Sequence, residues 1–444
     1  MPSRALARTA FLVSVAAGGL QVGIPAAVAG GFAIREQSAY FLGSAFAGSA
    51  AGGDLTSMYW NSAGAAARPG CNSASSYTAV FGHSTESAQS GLLVTGAPGI
   101  PALSPTSADV GNTSLVPASY ASCQLTERLY VGIALNSPFG FTTKPDNPNW
   151  AGSPIAQTSK IFSVNANPML AYKLTPQVTI GVGVQIEFLS VRLNHGTLGS
   201  LGGPLSGARA FNADDWGVGA TAGILWQPSR STSVGLGYRS TVSEDVSGDY
   251  TRGIGAISGP GVMTRAAASI TLPDEVTLSA RQYLSPQLAL LGTIEWQNWS
   301  RVQNVTATSA GCPGGVCEVL NLNYRDGWQF SVGAEYAWNP LLTLRAGIAY
   351  ETSPIRDSTR DILLPDSNRV ELAIGASYKL SETMSVDAAY SHLFFADGSY
   401  CIANASINGG TTHCNAATPA TAVLLSGKAD VSADLLAVGL KYKF

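Results

Sequence analysis

Residues 177–189 read QVTIGVGVQIEFL, and apolar side chains alternate along them with small or polar ones. Positions 178, 180, 182, 184, 186 and 188 are Val, Ile or Phe, whereas the positions between them are Thr, Gly, Gln or Glu. Because successive side chains of a β-strand point to opposite faces, this pattern predicts a strand with one apolar face.

The same alternation recurs in residues 215–226, 328–338, 342–351 and 436–444, which predicts an all-β protein. A soluble β-sandwich also alternates, but aromatic residues such as Trp216 and Trp226 lie near the ends of the apolar faces here, as interfacial girdles do. The chain also ends within a strand, at Phe444. Strands in lipid must close into a barrel, because backbone polar groups cannot be left unpaired there.

Short and long connections alternate between the predicted strands. Six short ones have the composition of tight turns: Thr126–Arg128, Thr175–Gln177, Gln227–Arg230, Ser285–Gln287, Asn339–Pro340 and Ser381–Thr383. Seven longer stretches lie between them, at about 84–112, 137–157, 194–212, 246–264, 302–320, 353–365 and 396–427. Six turns and seven loops separate 14 strands, and an even number fits bacterial outer-membrane barrels. We therefore predict a 14-stranded antiparallel transmembrane β-barrel over residues 71–444.

The N-terminus and the composition fit a secreted chain. Arg4 and Arg8 precede a short apolar stretch, and Ala27-Val28-Ala29 follows it, which predicts a signal peptide over residues 1–29. The alternative is an N-terminal membrane anchor, for which the apolar stretch is short. Of the 444 residues 12% are charged and the net charge is -3, without the basic stripe typical of nucleic-acid binding.

Six cysteines in a secreted chain allow disulfides, in any of 15 connectivities. Their spacing and the predicted topology favour three local pairs: Cys71–Cys123, Cys312–Cys317 and Cys401–Cys414. The rival interpretation is a metal site, but the four histidines are scattered and only His413 is near a cysteine. We therefore expect no metal and no cofactor.

Residues 30–70 do not alternate and are rich in Gly, Ala and Ser, with aromatic residues interspersed. A barrel of about 14 strands is wide enough to leave a lumen. We predict that this segment forms a small N-terminal hatch that plugs the lumen, the alternative being a periplasmic linker.

At this point the chain resembles the FadL/TodX family of outer-membrane transporters for long-chain fatty acids and aromatic hydrocarbons. The resemblance rests on the order and spacing of several short motifs: Gly30-Gly31-Phe32, Asn61-Ser62-Ala63-Gly64, Ser137-Pro138-Phe139-Gly140, Leu272-Pro273-Asp274, Trp296–Ser300, Arg345–Glu351, Leu364-Pro365-Asp366 and Leu440–Phe444. The family implies a barrel with a hatch, a capture groove between extracellular loops and a pocket in the lumen. It also implies that ligand leaves sideways through a gap made by an inward kink in strand 3.

The resemblance places candidate site residues in two groups. In the hatch they are Phe32, which would reach the pocket, and Asn61, Ser62 and Ala63, where Ser62 replaces the proline of the family's Asn-Pro-Ala motif. The lateral gate would be the strand-3 kink: Asn136, Ser137, Pro138, Phe139 and Gly140. Pro138 supports the kink because proline interrupts ladder hydrogen bonding. The alternatives are simple packing of Phe32 and an ordinary strand end at Pro138.

Charged residues on the inward faces should form a solvated network in the lumen: Glu187, Arg239, Arg281, Glu295, Glu335, Arg345, Glu371 and Asp387. No basic residue occurs from Glu318 to Tyr324. This absence favours a neutral ligand. No G-x-S-x-G motif occurs, and the Gly-x-Gly patterns lie within strands, so we do not expect an enzyme.

The expected function is transport of hydrophobic compounds across a Gram-negative outer membrane, by loop capture, binding in the lumen and lateral release. The alternatives are an adhesive or structural surface barrel whose disulfide-tied loops bind host or phage, and a general diffusion porin. Expected partners are hydrophobic small molecules or fatty acids, outer-membrane lipid and lipopolysaccharide, and the barrel-assembly machinery through Phe444. We expect a monomer and no nucleic acid.

Overall fold

The computed structural model describes residues 30–96, 102–195, 209–252, 262–362, 364–405 and 411–444. The predicted signal peptide at 1–29 lies outside the described residues. Within the described part, every strand segment joins one sheet, and no helix there is long and apolar enough to cross a membrane.

The sheet closes on itself as an antiparallel barrel with a wall of 14 strands, because the first wall strand pairs with both the second and the fourteenth. In chain order the wall strands are Cys71–Ser90, Thr113–Gln124, Leu129–Asn136 with Gly140–Thr143, Thr158–Lys173, Val178–His195, Arg209–Trp226, Thr232–Arg239 with Val242–Arg252, Val262–Leu272 with Glu275–Tyr283, Leu288–Gln297, Gly327–Ala337, Leu342–Thr352, Arg369–Lys379, Met384–Phe395 and Leu425–Lys443. The predicted fold class is confirmed.

Shorter elements lie before the first wall strand and in the connections. Five additional strands extend the sheet at one end of the barrel: Ser107–Asp109, Asn304–Thr308, Val316–Asn321, Gly398–Ala405 and Thr411–His413. Among the described residues the α-helices are Ala39–Leu42 and Leu92–Thr95, and the 3-10 helices are Ser49–Ala51, Leu55–Tyr59, Ser62–Ala66, Trp299–Arg301, Pro313–Gly315, Asp357–Thr359 and Ala420–Ala422.

The fifth wall strand shows how the alternating pattern is used. Val182 and Val184 are 57% and 47% exposed, whereas Gln185 and Glu187 are 2% and 0% exposed. The apolar face therefore points outward, where a bilayer would cover it, and the polar face points into the lumen. Wall strands also run farther than the sequence predicted: the first reaches Ser90, within the stretch assigned to a loop from about 84.

The described part of the chain before Cys71 fills the lumen, and we call residues 30–70 the hatch. Its backbone packs directly against glycines on the inward faces of the wall. A β-carbon on Gly237 would collide with the carbonyl oxygen of Trp60, and one on Gly235 with that of Ala50. Glycine is therefore required there by close approach of two backbones.

Disulfides join Cys71 to Cys123, Cys312 to Cys317 and Cys401 to Cys414. The first links cross-strand partners at the turn end of the first and second wall strands. The other two lie in the long connections that follow the ninth and thirteenth wall strands. They tie the chain locally at the opposite end of the barrel.

Candidate ligand pocket and wall gap

An apolar pocket lies between the hatch and the long connections, with an empty volume of about 1040 Å³ that includes its part open to solvent. Most of its lining is aliphatic or aromatic and comes from the third to eighth wall strands and from loop segments. The lining includes Phe32, Phe141, Ile161, Phe211, Val246, Leu322 and Ile355. Burial of an apolar molecule there would be driven by the hydrophobic effect.

Phe32 is the hatch residue that lines this pocket, and it is 2% exposed. Its ring meets that of Trp299 edge to face, with 4.7 Å between centroids, and that of Phe139 at 6.0 Å. The Trp299 ring lies 5.8 Å from that of Tyr324. Phe32 thus belongs to an aromatic cluster between the pocket and the third wall strand.

The charged side chains in the described pocket lining are those of Glu318 and Asp361, and no Lys, Arg or His lines it among the described residues. A carboxylate placed here would lie in an apolar surrounding without a cation from the described lining, which is unfavourable. The geometry therefore suits a neutral apolar molecule better than an anionic one.

The third wall strand is interrupted between Asn136 and Gly140. Its ladder with the second wall strand ends at the pair Ser119–Leu135, whereas residues 113–118 of the second strand pair only with the first. The second strand is therefore an edge over these residues, and it carries Pro117, a residue that sheets tolerate at edges. The wall has a gap beside Pro138.

The N-terminal part of the hatch, residues 30–37, lies against this gap, and we call it the hatch top. Ala33 forms an isolated antiparallel bridge with Phe139. The Ile34 N–H donates to the Pro138 carbonyl at 2.7 Å, and the Gly140 N–H donates to the Phe32 carbonyl at 2.8 Å. The hatch top thus takes the place of a ladder partner for the interrupted strand.

The side chain of Gln37 completes this contact and is fully buried. Its amide donates to the carbonyls of Ile34 at 3.0 Å and Ser137 at 2.7 Å. Its carbonyl accepts from the Asn136 amide at 3.2 Å, which also donates to the Tyr120 hydroxyl at 2.8 Å. Sequence reasoning missed Gln37, because a single glutamine in a segment without periodicity carries no signal.

Asn61, Ser62 and Ala63 lie elsewhere, in the part of the hatch that we call the hatch base, residues 39–66. The Asn61 amide donates to the carbonyls of Ala50 at 2.9 Å and Ile224 at 3.0 Å, and Ser62 bonds Thr221 at 2.7 Å. Asn61 also caps the 3-10 helix that begins at Ser62. These three residues anchor the hatch to the wall and are absent from the described pocket lining.

Ion pairs fix the hatch base. The Lys441 ammonium contacts Asp54 of the hatch and Asp387 of the wall, each at 2.8 Å. Burial favours the neutral form of Asp54, but Lys441 and Arg68 outweigh it and hold its pKa below the ordinary value. The Tyr40 hydroxyl donates to Glu335 at 2.6 Å, and Arg345 lies 3.6 Å from the centre of its ring.

The prediction of a solvated charge network was wrong. All eight inward charges that the sequence pointed to are at most 9% exposed. Several contact the hatch instead, as in the pair of Arg35 with Glu295 at 2.7 Å and with Glu351 at 2.5 Å. The hatch occupies the space that water would have filled, so most of these charges contact other charges or hydrogen-bonding groups instead of water.

Comparison with known proteins gives a consistent result. A family model described as "Outer membrane protein transport protein (OMPP1/FadL/TodX)" matches residues 21–444. A curated relative, the long-chain fatty acid transport protein of Escherichia coli O6:H1, is 26% identical over 317 residues, which cover 64% of this chain and 70% of the relative.

Two solved structures share the fold. A Pseudomonas aeruginosa FadL homologue aligns with a TM-score of 0.80 at 21% identity, covering 93% of this chain and all of that one (100%). The Pseudomonas putida toluene transporter TodX aligns with a TM-score of 0.63 at 17% identity, and the alignment covers 94% of this chain and 100% of the TodX chain. At these identities the likeness concerns the fold alone.

Proposed function

This chain belongs to the OMPP1/FadL/TodX family of outer membrane transport proteins, and from that premise we propose that it carries neutral hydrophobic compounds across the outer membrane of a Gram-negative cell. The proteins that this chain resembles include transporters named for long-chain fatty acids and for toluene. The observation that carries the choice between them is the pocket lining, which has no Lys, Arg or His among its described residues and so offers no cation to a fatty-acid carboxylate. Aromatic or aliphatic hydrocarbons are therefore the preferred cargo, and long-chain fatty acids the second.

The proposed route begins at the extracellular connections, passes the apolar pocket and leaves through the wall beside Pro138. The pocket and the gap share the Phe32 cluster, so a molecule in the pocket is one aromatic layer away from the gap. Release into the bilayer keeps an apolar cargo out of water throughout, whereas a straight passage would expose it to the periplasm. Lateral release requires the hatch top to move away from residues 137–140.

Uptake in a deletion strain tests the cargo. Cells lacking the gene should take up labelled toluene and hexadecane more slowly, and the wild-type gene should restore the rate. Phe32→Ala should alter the rate for both compounds, because it removes the ring between the pocket and the gap. Oleate uptake should depend less on the gene. Unchanged uptake of all three compounds would contradict transport and favour the adhesive alternative.

Photolabelling tests the route. A diazirine-bearing alkylbenzene, added to whole cells, should label residues 113–118 at the rim of the gap more strongly than residues 218–224 of the sixth wall strand. Both segments belong to the wall, so probe dissolved in the bulk lipid should label them to the same extent. Equal labelling of the two segments would count against lateral release while leaving transport itself untouched.

A further inference from the structure

Two neighbouring carboxyl groups in the lumen lack the ion pairs that several other buried carboxylates have. Glu187 of the fifth wall strand and Glu244 of the seventh are both 0% exposed. Oε1 of Glu187 and both carboxyl oxygens of Glu244 have no hydrogen-bond donor among the described residues. By contrast, Glu295, Glu335 and Glu351 each contact an arginine at 2.9 Å or less.

The cross-strand register brings the two groups together. Glu187 is the direct partner of Gly217 in the sixth wall strand. Glu244 Oε1 lies 2.5 Å from the position that a β-carbon of Gly217 would take. The Glu244 carboxyl group therefore occupies the space of the missing side chain beside Glu187. Directly opposed side chains in a sheet are about 5 Å apart at their β-carbons, so the two carboxyl groups are neighbours.

A third oxygen without a donor belongs to a side chain that contacts Glu187. Asn165 of the fourth wall strand is the cross-strand partner of Glu187 on its other side, and it is 0% exposed. Its amide nitrogen donates to Glu187 Oε2 at 3.1 Å, while its amide oxygen Oδ1 has no donor in the described part of the molecule. An amide oxygen cannot be protonated like a carboxylate, whereas a cation would be a suitable partner for either kind of oxygen.

The nearby guanidinium of Arg239 bonds to other groups. The Arg239 guanidinium donates to the Gln185 side chain at 2.5 Å and to the Tyr59 carbonyl at 3.2 Å. Neither glutamate forms an ion pair with another described residue. Two unpaired carboxylates removed from water are strongly unfavourable, and proteins compensate such charges with partners or with metal ions.

The backbone also makes room for Glu244. The seventh wall strand is interrupted between Arg239 and Val242, and residues 215–220 of the sixth strand have no ladder pair with it. The side chains of Val242 and Glu244 instead cover the inner surface of Gly217. The break thus directs an acidic side chain inward at a level where the neighbouring strands supply Glu187 and Asn165.

We propose that Glu187, Glu244 and Asn165 form a binding site for one divalent cation, of which Ca²⁺ is the best fit. The site offers four uncommitted oxygens and two negative charges, and carboxylate and amide oxygens are the ligands that Ca²⁺ takes, with variable geometry. Mg²⁺ demands a near-ideal octahedron and retains water, which suits a fully buried, irregular set less well.

The proposed ion would sit beside the wall gap. Ser163 precedes Asn165 by two residues on the same inward face, and its hydroxyl oxygen accepts from the Phe139 N–H at 2.9 Å. Occupancy of the site would therefore hold the fourth wall strand and the end of the third in one arrangement. This proposal concerns the barrel itself and does not depend on the cargo.

Direct binding tests the proposal on protein refolded in detergent without lipopolysaccharide and freed of metal by a chelator. Equilibrium dialysis with labelled Ca²⁺ should find one ion per barrel. In the wild type, Ca²⁺ at about 100-fold above its Kd should raise the midpoint of thermal unfolding by ~5 °C, and Mg²⁺ should raise it less. A wild-type barrel that binds neither ion overturns the proposal whatever the variants do.

Matched variants separate this site from other acidic groups. Glu244→Gln and Glu187→Gln keep the size of the side chain and should abolish both the bound ion and the thermal shift. Glu86→Gln, at another buried carboxyl, and Asp249→Asn, on the outer surface, should retain both. If Glu244→Gln binds Ca²⁺ as the wild type does, the site is wrong. If the wild type does not bind Ca²⁺ and Glu244→Gln is more stable than the wild type, the two carboxyl groups are protonated instead of binding a cation.

Discussion

Two parts of the hatch are attached to the same barrel by different kinds of contact: the base, and the residues of the top that face the gap. The base is held by the buried ion pairs of Lys441 with Asp54 and Asp387, and by backbone packed against wall glycines. In the top, Arg35 also forms buried ion pairs with the wall, at Glu295 and Glu351. The residues of the top that face the gap are held instead by backbone hydrogen bonds, the Gln37 amide and the Phe32 ring.

The difference separates the ion pairs, which are fixed contacts, from the neutral contacts at the gap, which break more easily. Breaking a buried ion pair leaves an uncompensated charge, which costs several kcal/mol. A neutral hydrogen bond contributes about 1 kcal/mol net. We therefore expect changes at the ion pairs to alter stability, and changes at the neutral contacts with the gap to alter transport.

Lys441→Met should have the largest effect on stability, because it leaves Asp54 and Asp387 buried without their cation. The free energy of unfolding in urea should fall by about 3–5 kcal/mol. The exposed Lys443→Met in the same wall strand is the control and should change it little. Adding Asp54→Asn and Asp387→Asn to Lys441→Met should restore most of the loss. If Lys443→Met lowers the free energy of unfolding as much as Lys441→Met does, the ion pairs of Lys441 do not anchor the hatch base.

Gly237→Val should have the next largest effect. A side chain at this position meets the Trp60 carbonyl, which is backbone and cannot rotate away, so the hatch base must shift. Forcing atoms into such a packed interface costs about 1–3 kcal/mol. Limited proteolysis of intact cells should then cleave the hatch, which is protected in the wild type. Gly292→Val is the matched control, because the nearest atom to its β-carbon is 3.8 Å away.

The wall was predictable from the sequence because its physical cause is local. A strand between lipid and lumen must alternate, and tight turns have their own composition, so residues 177–189 predict both the strand and its outward face. The break of the third wall strand at Pro138 also has a local cause, because proline lacks the N–H that a ladder partner requires, although Pro117 shows that an edge tolerates it.

Contacts between the hatch and the wall were not predictable, because they join residues far apart in the chain. Glu295 and Arg345 alternate as lumen residues should, and only the presence of the hatch turns them from solvated into buried groups. Asn61 and Phe32 lie in one short segment, yet they end at opposite levels of the barrel. Nothing in a segment without periodicity indicates the depth of each residue.

Gln37→Leu should have the smallest effect on stability and a clear effect on transport. The substitution removes the amide that joins Ile34, Ser137 and Asn136 across the gap. The free energy of unfolding should fall by about 1 kcal/mol, because neutral hydrogen bonds are lost and no charge is left unpaired. The hatch top should open more often, so that toluene enters cells severalfold faster while Lys441→Met leaves the rate per folded barrel unchanged.

Asn61→Leu provides the control for this last comparison, since the Asn61 amide is also buried and also donates to two carbonyls, but it lies in the hatch base, away from the gap. It should lower stability without changing uptake. If both amide variants speed uptake equally, the effect reflects general loosening of the barrel. If neither does, the hatch top does not limit the rate, and the cover over the gap must be sought in the aromatic layer of Phe32, Phe139 and Trp299.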